Sequence, residues 1–331
     1  MFVVHQAGLA ILLCVVTMLC WGSWANTQKL AGKDKWAFPL FYWDYAVATV
    51  LTSLLFAHTL GSFGTAGMGA RANLHQASLG AFGHAVFSGA LFNLSNLLLV
   101  AAVDAAGLAV AFPVGVGLAM VIGTIASYIQ EPKGNPALLF GGVALVVAGM
   151  VFSAVAGSRV PRAAGRGAAR GVVFAILAGC LMGFFYPQLA ASLSPNFSTA
   201  PIAAGMLTPY VAASLFACGL FVSCFLINTI AMKAAGAGFG DYFRGSLRLH
   251  SFGLLGGLIW MIGLSLNVIA AGTAGPAISY ALGQGSTLVA GIWGVFVWKE
   301  FANCPPGTKP YIAAMFLAYM AGLAMIATAS L

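Results

Sequence analysis

Charge is what this sequence has least of. Only 6% of its 331 residues are charged, 14 basic and 6 acidic, while 61% are hydrophobic. A soluble globular domain has about 25% charged residues. So few charges cannot cover the water-exposed surface of a folded chain of this length. A water-soluble enzyme or regulator is therefore excluded, and the composition predicts an integral membrane protein in a lipid bilayer.

The usual chemical motifs are also missing. The six cysteines are single, without a CxxC pair, so neither a metal site nor a disulfide framework is indicated. No H-x-x-x-H motif, aspartate cluster or Ser/His/Asp set occurs at membrane depth. The net charge of +8 comes from basic residues in short connections, not from a basic stripe interleaved with aromatics. We therefore expect that the protein is not an enzyme and has no cofactor and no nucleic-acid partner.

Long apolar stretches are what the sequence has instead. A spanning helix needs about 20 mostly apolar residues, and ten stretches qualify. The first has no basic n-region and no convincing cleavage site, so we predict that it is a retained helix and not a signal peptide. The proline of Tyr186-Pro187-Gln188 is expected to interrupt the sixth. The stretches are 3–25, 37–60, 77–102, 107–128, 137–157, 171–192, 201–229, 250–271, 275–298 and 310–330.

The basic residues predict the orientation. Twelve of the 14 lie in odd-numbered connections, and only Arg71 and Lys133 lie in even-numbered ones. The positive-inside rule then places the odd connections in the cytoplasm and both termini outside it. We predict a multi-pass protein of the cell (inner) membrane.

The chain also repeats itself. A shift of 168 residues places the third and fourth stretches on the eighth and ninth without a gap. A repeat of five helices must be inverted in the membrane, as in many secondary transporters. We predict an all-α fold of ten spanning helices in two inverted repeats, 1–157 and 171–331, joined by a basic cytoplasmic linker, 158–170. Among the glycines, the shift superposes Gly89 on Gly257, Gly107 on Gly275, Gly115 on Gly283, Gly117 on Gly285 and Gly123 on Gly291; it also superposes Phe92 on Trp260.

Several short motifs, in order, resemble those of the ureide permease family within the drug/metabolite transporter superfamily. The resemblance covers nearly the whole chain, and more remotely the pattern is similar to the bacterial rhamnose and glucose/ribose uptake families. The residues that carry it are Trp21-Gly22-Ser23-Trp24, Tyr42-Trp43-Asp44-Tyr45, Asn96, Gln284, Trp293-Gly294 and Glu300.

The resemblance implies a symporter that takes up allantoin and related oxo-heterocycles, such as uracil or xanthine, with protons. The chain departs from the plant members, whose long central loop carries a Walker-A-like stretch. Here residues 158–170 contain no such motif. Nucleotide control is therefore not expected, and the chain is similar to a compact bacterial relative.

Ionisable residues inside spanning helices are functional candidates. Asp44 is the predicted proton-coupling carboxylate, because burial raises a carboxylate's pKa; the alternative is an interfacial anchor among aromatic residues. His84 is more simply a structural histidine. Glu300 and Lys299 are gate candidates, with Glu300 expected to contact a lysine or arginine, although a solvated or capping charge is the simpler explanation.

Uncharged polar and aromatic residues suit a flat, amide-rich solute. Amides offer donors and acceptors, and aromatic faces stack on planar rings. The competing explanation is that the same side chains join helices or anchor the membrane interface. The predicted substrate-binding residues are Trp21, Asn93, Asn96, Tyr186, Trp260, Asn267, Tyr280, Gln284 and Thr287.

The sequence leaves alternatives open. Uptake of a monosaccharide such as rhamnose, glucose or ribose is the first, and export of a metabolite or drug is the second. The expected partners are a small uncharged solute and the bilayer, and a homodimer is not excluded.

Overall fold

The computed structural model describes residues 1–32, 36–64, 66–160 and 168–331, and within these residues the regular structure is helical. Part of the predicted basic linker, including Arg162 and Arg166, and Lys33 and Lys35 of the first connection lie outside the described residues. The helices are α1 (Ala7–Ser23), α2 (Ala25–Gly32), α3 (Phe38–His58), α4 (Ala70–Gln76), α5 (Leu79–Ala106), α6 (Leu108–Gln130), α7 (Pro136–Ser158), α8 (Ala168–Ser192), α9 (Pro209–Cys224), α10 (Ile227–Ala234), α11 (Phe239–Phe243), α12 (Leu247–Ala274), α13 (Pro276–Gly283), α14 (Ser286–Ile292) and α15 (Lys309–Thr328), with a π-helical segment at Trp293–Val297.

The described residues contain nine helical segments long and apolar enough to cross a membrane. The first combines α1 and α2, and the eighth combines α13, α14 and the π-helical segment. A tenth span results if α9 and α10, which are bent by 43°, form one broken crossing. The all-helical membrane architecture is therefore confirmed, with nine to ten spans.

Three predicted details differ from the structure. The seventh stretch becomes helical only at Pro209, because residues 193–208 form a loop closed by a bridge between Leu193 and Leu207. Pro187 does not interrupt its span: α8 continues to Ser192, since a proline in a spanning helix removes only one intrahelical hydrogen bond. The ninth stretch, predicted as one helix, instead breaks after Gly283.

The two stretches related by the 168-residue shift have matching ends. Helices α5 and α12 are both 28 residues long. Each begins with a serine, Ser78 or Ser246, whose hydroxyl accepts a hydrogen bond from the backbone N–H three residues later. Each ends at a left-handed glycine, Gly107 with φ 82° or Gly275 with φ 86°. The connections from α5 to α6 and from α12 to α13 are therefore single glycines.

Glycine also sets helix spacing at equivalent positions in these two helices. A Cβ on Gly89 of α5 would lie 2.0 Å from the carbonyl oxygen of Phe216 in α9. A Cβ on Gly257 of α12 would lie 2.2 Å from the carbonyl oxygen of Tyr45 in α3. Helices in lipid gain from such close approach because dispersion contacts replace the missing hydrophobic drive.

The connections gather at two opposite ends of the bundle. The even face comprises residues 1–6, 59–64, 66–78, 131–135, 193–208, 275 and 329–331, where backbone hydrogen bonds join Phe2 to Leu60, Ser78 to Gly205 and Asn135 to Ala329. In the described chain the odd face comprises residues 24–32, 36–37, 107, 159–160, 168–170, 225–246 and 298–308. In the described part of the odd face, side chains make the hydrogen bonds between separate connections.

Candidate functional site

A cavity of about 300 Å³ lies between the helices and extends toward the odd face. Its volume is at the lower end of the roughly 300–1,000 Å³ typical of ligand pockets. Five of the nine predicted substrate-binding residues line it: Trp21, Asn96, Trp260, Gln284 and Thr287.

Aromatic rings form one wall of the cavity. The rings of Phe92 and Trp260 lie 4.4 Å apart between centroids, and Phe185 contacts Phe92 at 5.1 Å. Trp21 stacks on Trp260 at 5.8 Å with an interplanar angle of 14°, and its Nε1 donates to the Trp260 carbonyl oxygen over 3.2 Å. This bond fixes the Trp21 ring and leaves the wall apolar.

Two amide side chains supply polar groups inside the cavity. Asn96, on α5, is only 5% exposed, and its Nδ2 has no hydrogen-bond partner among the described residues. Gln284 lies at the break between α13 and α14, where the Thr287 hydroxyl donates to its backbone carbonyl over 3.1 Å. A buried amide N–H without a partner is costly, and the neighbour of the Asn96 amide in the described chain is the Tyr42 hydroxyl, which is also buried. Asn96 lines the cavity, so its amide is a candidate donor for a ligand.

The cavity leads from these amides to the odd face. Gln28, Phe38 and Asp104 line its far part, and Asp104 is exposed. Among the described lining residues, Asp104 alone is charged. The inner part of the cavity is therefore neutral and suits an uncharged ligand.

The other four predicted residues make contacts between helices. Asn93 Nδ2 donates to the Ser223 hydroxyl over 2.7 Å, and Asn267 Nδ2 donates to the Ser279 carbonyl oxygen over 2.7 Å. The hydroxyls of Tyr186 and Ser279 are 3.0 Å apart. The Tyr280 hydroxyl faces carbonyl oxygens of α6 and α8. Asn93 and Asn96 are thus close in sequence but face different neighbours.

Asp44 lies in a separate cluster at the odd face. Tyr242, in α11, donates its hydroxyl to Asp44 Oδ1 over 2.7 Å, and His250 Nδ1, in α12, is 2.8 Å from Asp44 Oδ2. Burial, followed by the neighbouring Asp44 carboxylate, raises the pKa of the Tyr242 phenol. The carboxylate is 7% exposed and the imidazole 21%, so His250 is the more accessible partner.

A second cavity of about 240 Å³ shares a wall with the first at Thr287 and Ala290. At its edge Lys29 Nζ lies 2.7 Å from Glu300 Oε1 and 4.2 Å from the centre of the Trp298 ring. Glu300 therefore pairs with Lys29 of the first connection and not with its neighbour Lys299, whose backbone is left-handed with φ 52°.

Sequence reasoning missed His250, Tyr242 and Lys29. His250 follows the basic residues Arg244 and Arg248, which indicate a solvated loop, so the sequence does not mark it as a functional candidate. One usable signal was present: Ser246 is a preferred helix N-cap, so a helix starting at residue 247 would place His250 on its first turn. In the sequence, Lys29 is informative only as one of the basic residues that predict the orientation.

Comparisons with known proteins find distant, full-length similarity. No family model matches the chain. It is 21% identical to ureide permease 1 of Arabidopsis thaliana over 390 aligned residues, and 21% identical to ureide permease 4 of the same plant over 401; each alignment covers 100% of this chain and 99% of the relative. The chain therefore has a weak but full-length likeness to ureide permeases, which indicates a transporter.

A solved crystal structure of a protein shares the fold. It superposes with a TM-score of 0.59 at 16% identity, over 96% of this chain and 95% of the other. At this identity the match describes architecture alone.

Proposed function

We propose that the chain is a secondary active transporter that takes up a small, uncharged oxo-heterocycle of the ureide or nucleobase type together with protons. The observation that carries the proposal is a neutral, aromatic-walled cavity lined by the side-chain amides of Asn96 and Gln284. Allantoin, uracil and xanthine types combine a planar ring with alternating N–H and C=O groups, which matches that surface.

The flat face and the polar edge of the solute each have a partner in the cavity. Its flat face stacks on the wall formed by Phe92 and Trp260. In the proposed complex a ring carbonyl accepts from the Asn96 amide, and the Gln284 amide, which offers both a donor and an acceptor, satisfies the remaining polar groups. Leaving one such buried group unpaired costs about 1–3 kcal/mol, or roughly fivefold to 150-fold in affinity.

The transport cycle rests on the two faces of the molecule. We place the odd face in the cytoplasm, since it carries most of the basic residues, and both termini outside. In this proposal the two halves are inverted relative to each other, and the cavity that extends to the odd face corresponds to a state open to the cytoplasm. Asp44 is assigned the coupled proton, and the Lys29–Glu300 pair is assigned a gate beside the second cavity.

Ligand-dependent thermal stability tests the proposal. The purified protein is heated with purines, pyrimidines, allantoin and monosaccharides, because a ligand that binds only the folded state raises the melting temperature. We expect a shift with oxo-heterocycles and none with rhamnose, glucose or ribose. A shift with a sugar alone would instead identify a monosaccharide carrier.

Three leucine variants then locate the site. Asn96→Leu and Gln284→Leu remove cavity amides, and we expect each to weaken binding by roughly fivefold to 150-fold with the bundle still folded. Asn93→Leu is the matched control on α5, because its amide bonds Ser223. We expect it to lower the melting temperature without ligand and to leave affinity unchanged. Equal affinity loss in all three would remove the cavity as the binding site.

A further inference from the structure

The Asp44 carboxylate lies outside the cavity that we assign to the solute. The cavity lining includes Phe38 of α3, one and a half turns before Asp44, but not Asp44 itself. A proton on Asp44 therefore cannot act by direct contact with the solute. It must act through the residues that Asp44 contacts.

Asp44 contacts the start of α12. The imidazole of His250 contacts Asp44 Oδ2 and is itself enclosed by two edge-on rings, Trp36 at 5.6 Å and Tyr242 at 4.8 Å between centroids. Gly253, one turn further along α12, lies directly against Asp44: a Cβ there would be 2.5 Å from the Asp44 Cβ. The backbones of α3 and α12 thus approach closely at this bond.

The charged and titratable groups around Asp44 come from several packed elements. Tyr242 and His250 bond to it directly, from α11 and α12. The helix α9 carries no charged residue. The remaining charged residues on the described elements against α3 are Lys29, paired with Glu300; Lys233, which is exposed; Asp241, which accepts from the Gly238 N–H; and Arg248, over the Phe252 ring.

The same two helices carry aromatic residues to the cavity. Tyr45 follows Asp44 on α3 and lies 6.1 Å from Trp260 of α12 between ring centroids; it also lies 5.2 Å from Trp24. Trp24 and Trp260 both line the cavity. A change in how α3 packs on α12 at the Asp44–His250 bond is therefore transmitted to the cavity wall along two helices.

We infer that His250 is the second member of the proton-coupling pair and the group through which Asp44 exchanges protons with water at the odd face. This inference rests on the proton-coupled transport proposed above. With neutral imidazole and ionised Asp44 the pair carries one negative charge. Addition of one proton makes it neutral overall and strengthens the bond between α3 and α12 by making it an ion pair. Loss of that proton through the more exposed imidazole weakens the bond.

Reconstituted vesicles separate coupling from transport itself. Accumulation of radiolabelled allantoin, and of uracil in a parallel set, is driven by a gradient of about one pH unit. One proton per solute then sustains at most roughly tenfold accumulation, since each factor of ten equals about 1.4 kcal/mol. Exchange of internal unlabelled for external labelled solute is measured without a gradient. We expect His250→Gln to abolish accumulation, so that the internal and external solute concentrations become about equal. The exchange rate should stay within roughly twofold of that of the unsubstituted protein.

Two controls address a purely structural role. Tyr242→Phe removes the other hydrogen bond to the same carboxylate but no proton carrier, and His84→Gln makes the same substitution at a histidine that contacts Gln188 in another cluster. We expect both to keep accumulation. His250→Asn provides a second variant if His250→Gln does not fold.

Three results would overturn the inference. Normal accumulation in both His250 variants would show that His250 carries no coupled proton. Equal loss in His250→Gln and Tyr242→Phe would assign the cluster to helix packing. If the unsubstituted protein exchanges a solute but never accumulates it under the pH gradient, proton-coupled transport itself fails, and the inference falls with it.

Discussion

The two ends of the bundle are held together by different sets of bonds. On the even face, loops join one another through backbone hydrogen bonds and also through buried side chains such as Asn73, and α4, the 193–208 loop and the chain ends lie against each other. On the odd face, the described connections meet through side chains such as Lys29 and Glu300, and the cavity reaches the exposed Asp104 there. Backbone bonds between loops break only if the loops separate, whereas side-chain pairs exchange partners more readily. We therefore propose that the odd face is the end that opens and closes.

The largest expected effect concerns which compartment each face meets. A reporter that is active only in the cytoplasm, fused after Leu331, should be silent, whereas the same reporter inserted within residues 161–167 should be active. The twelve basic residues of the odd connections are the reason. Activity of the C-terminal fusion would reverse the compartments assigned to the two faces.

The helix packing between the faces gives the next largest effect. Gly89→Ala places a methyl group against the Phe216 carbonyl, so α5 and α9 must separate, and we expect a loss of about 3 kcal/mol in the free energy of unfolding. Gly83→Ala is the matched control on the same helix, because nothing lies within 4 Å of its added Cβ. Unfolding in mild detergent at graded denaturant measures both. Similar stabilities would show that the close approach is dispensable.

A pair of asparagines compares the faces directly. Asn73 on the even face is fully buried, donates to the Met206 carbonyl and accepts from the Thr208 N–H. Asn26 on the odd face also makes two bonds, to Ser23 and Trp298, but is half-buried. We expect Asn73→Leu to cost about 2–3 kcal/mol and Asn26→Leu about 1 kcal/mol, because water satisfies partners left at the odd face. Thermal unfolding measures the difference, and equal costs would remove the contrast between the faces.

The smallest effect on stability is expected at the two ion pairs. Lys29 pairs with Glu300 on the odd face, and Lys133 pairs with Glu131 on the even face, both at 2.7 Å. All four side chains are partly exposed, so Lys29→Met and Lys133→Met should each change stability by less than about 1 kcal/mol. Transport should separate them: Lys29→Met is expected to alter the exchange rate several-fold and Lys133→Met to leave it unchanged. The same rate change in both would show that Lys29 is not part of a gate.

The fold could be predicted largely because lipid imposes a simple constraint. Apolar stretches had to become helices, and the glycine pattern at a 168-residue spacing reappears as the matched ends of α5 and α12. The break at Gln284 was not predictable from hydropathy, because the stretch from 275 to 298 is on average apolar enough to cross a membrane despite Gln284, Ser286 and Thr287. The backbone there breaks where Gly283 packs against Trp21, a contact far apart in the sequence.

The site was only partly predictable for a similar reason. Sequence spacing indicates which residues share a helix face, but not what that face meets. Asn96 faces the cavity while Asn93, one turn away, faces Ser223. Asp44 was recognised as a buried charge, but its partner His250 lies 206 positions away in the chain. Pairings of this length depend on how helices pack, and a single sequence does not contain that information in local form.

The contact between Phe92 and Trp260 has a geometric consequence. The 168-residue shift superposes these two residues, and in the folded protein they touch each other. If the halves form the inverted repeat predicted from the sequence, a point where equivalent parts of the two halves meet lies on the axis that relates them. If the halves exchange roles during transport, every contact elsewhere is replaced by its counterpart in the other half, but a contact on the axis is its own counterpart. The two rings can therefore stay in contact throughout the cycle while the helices around them move.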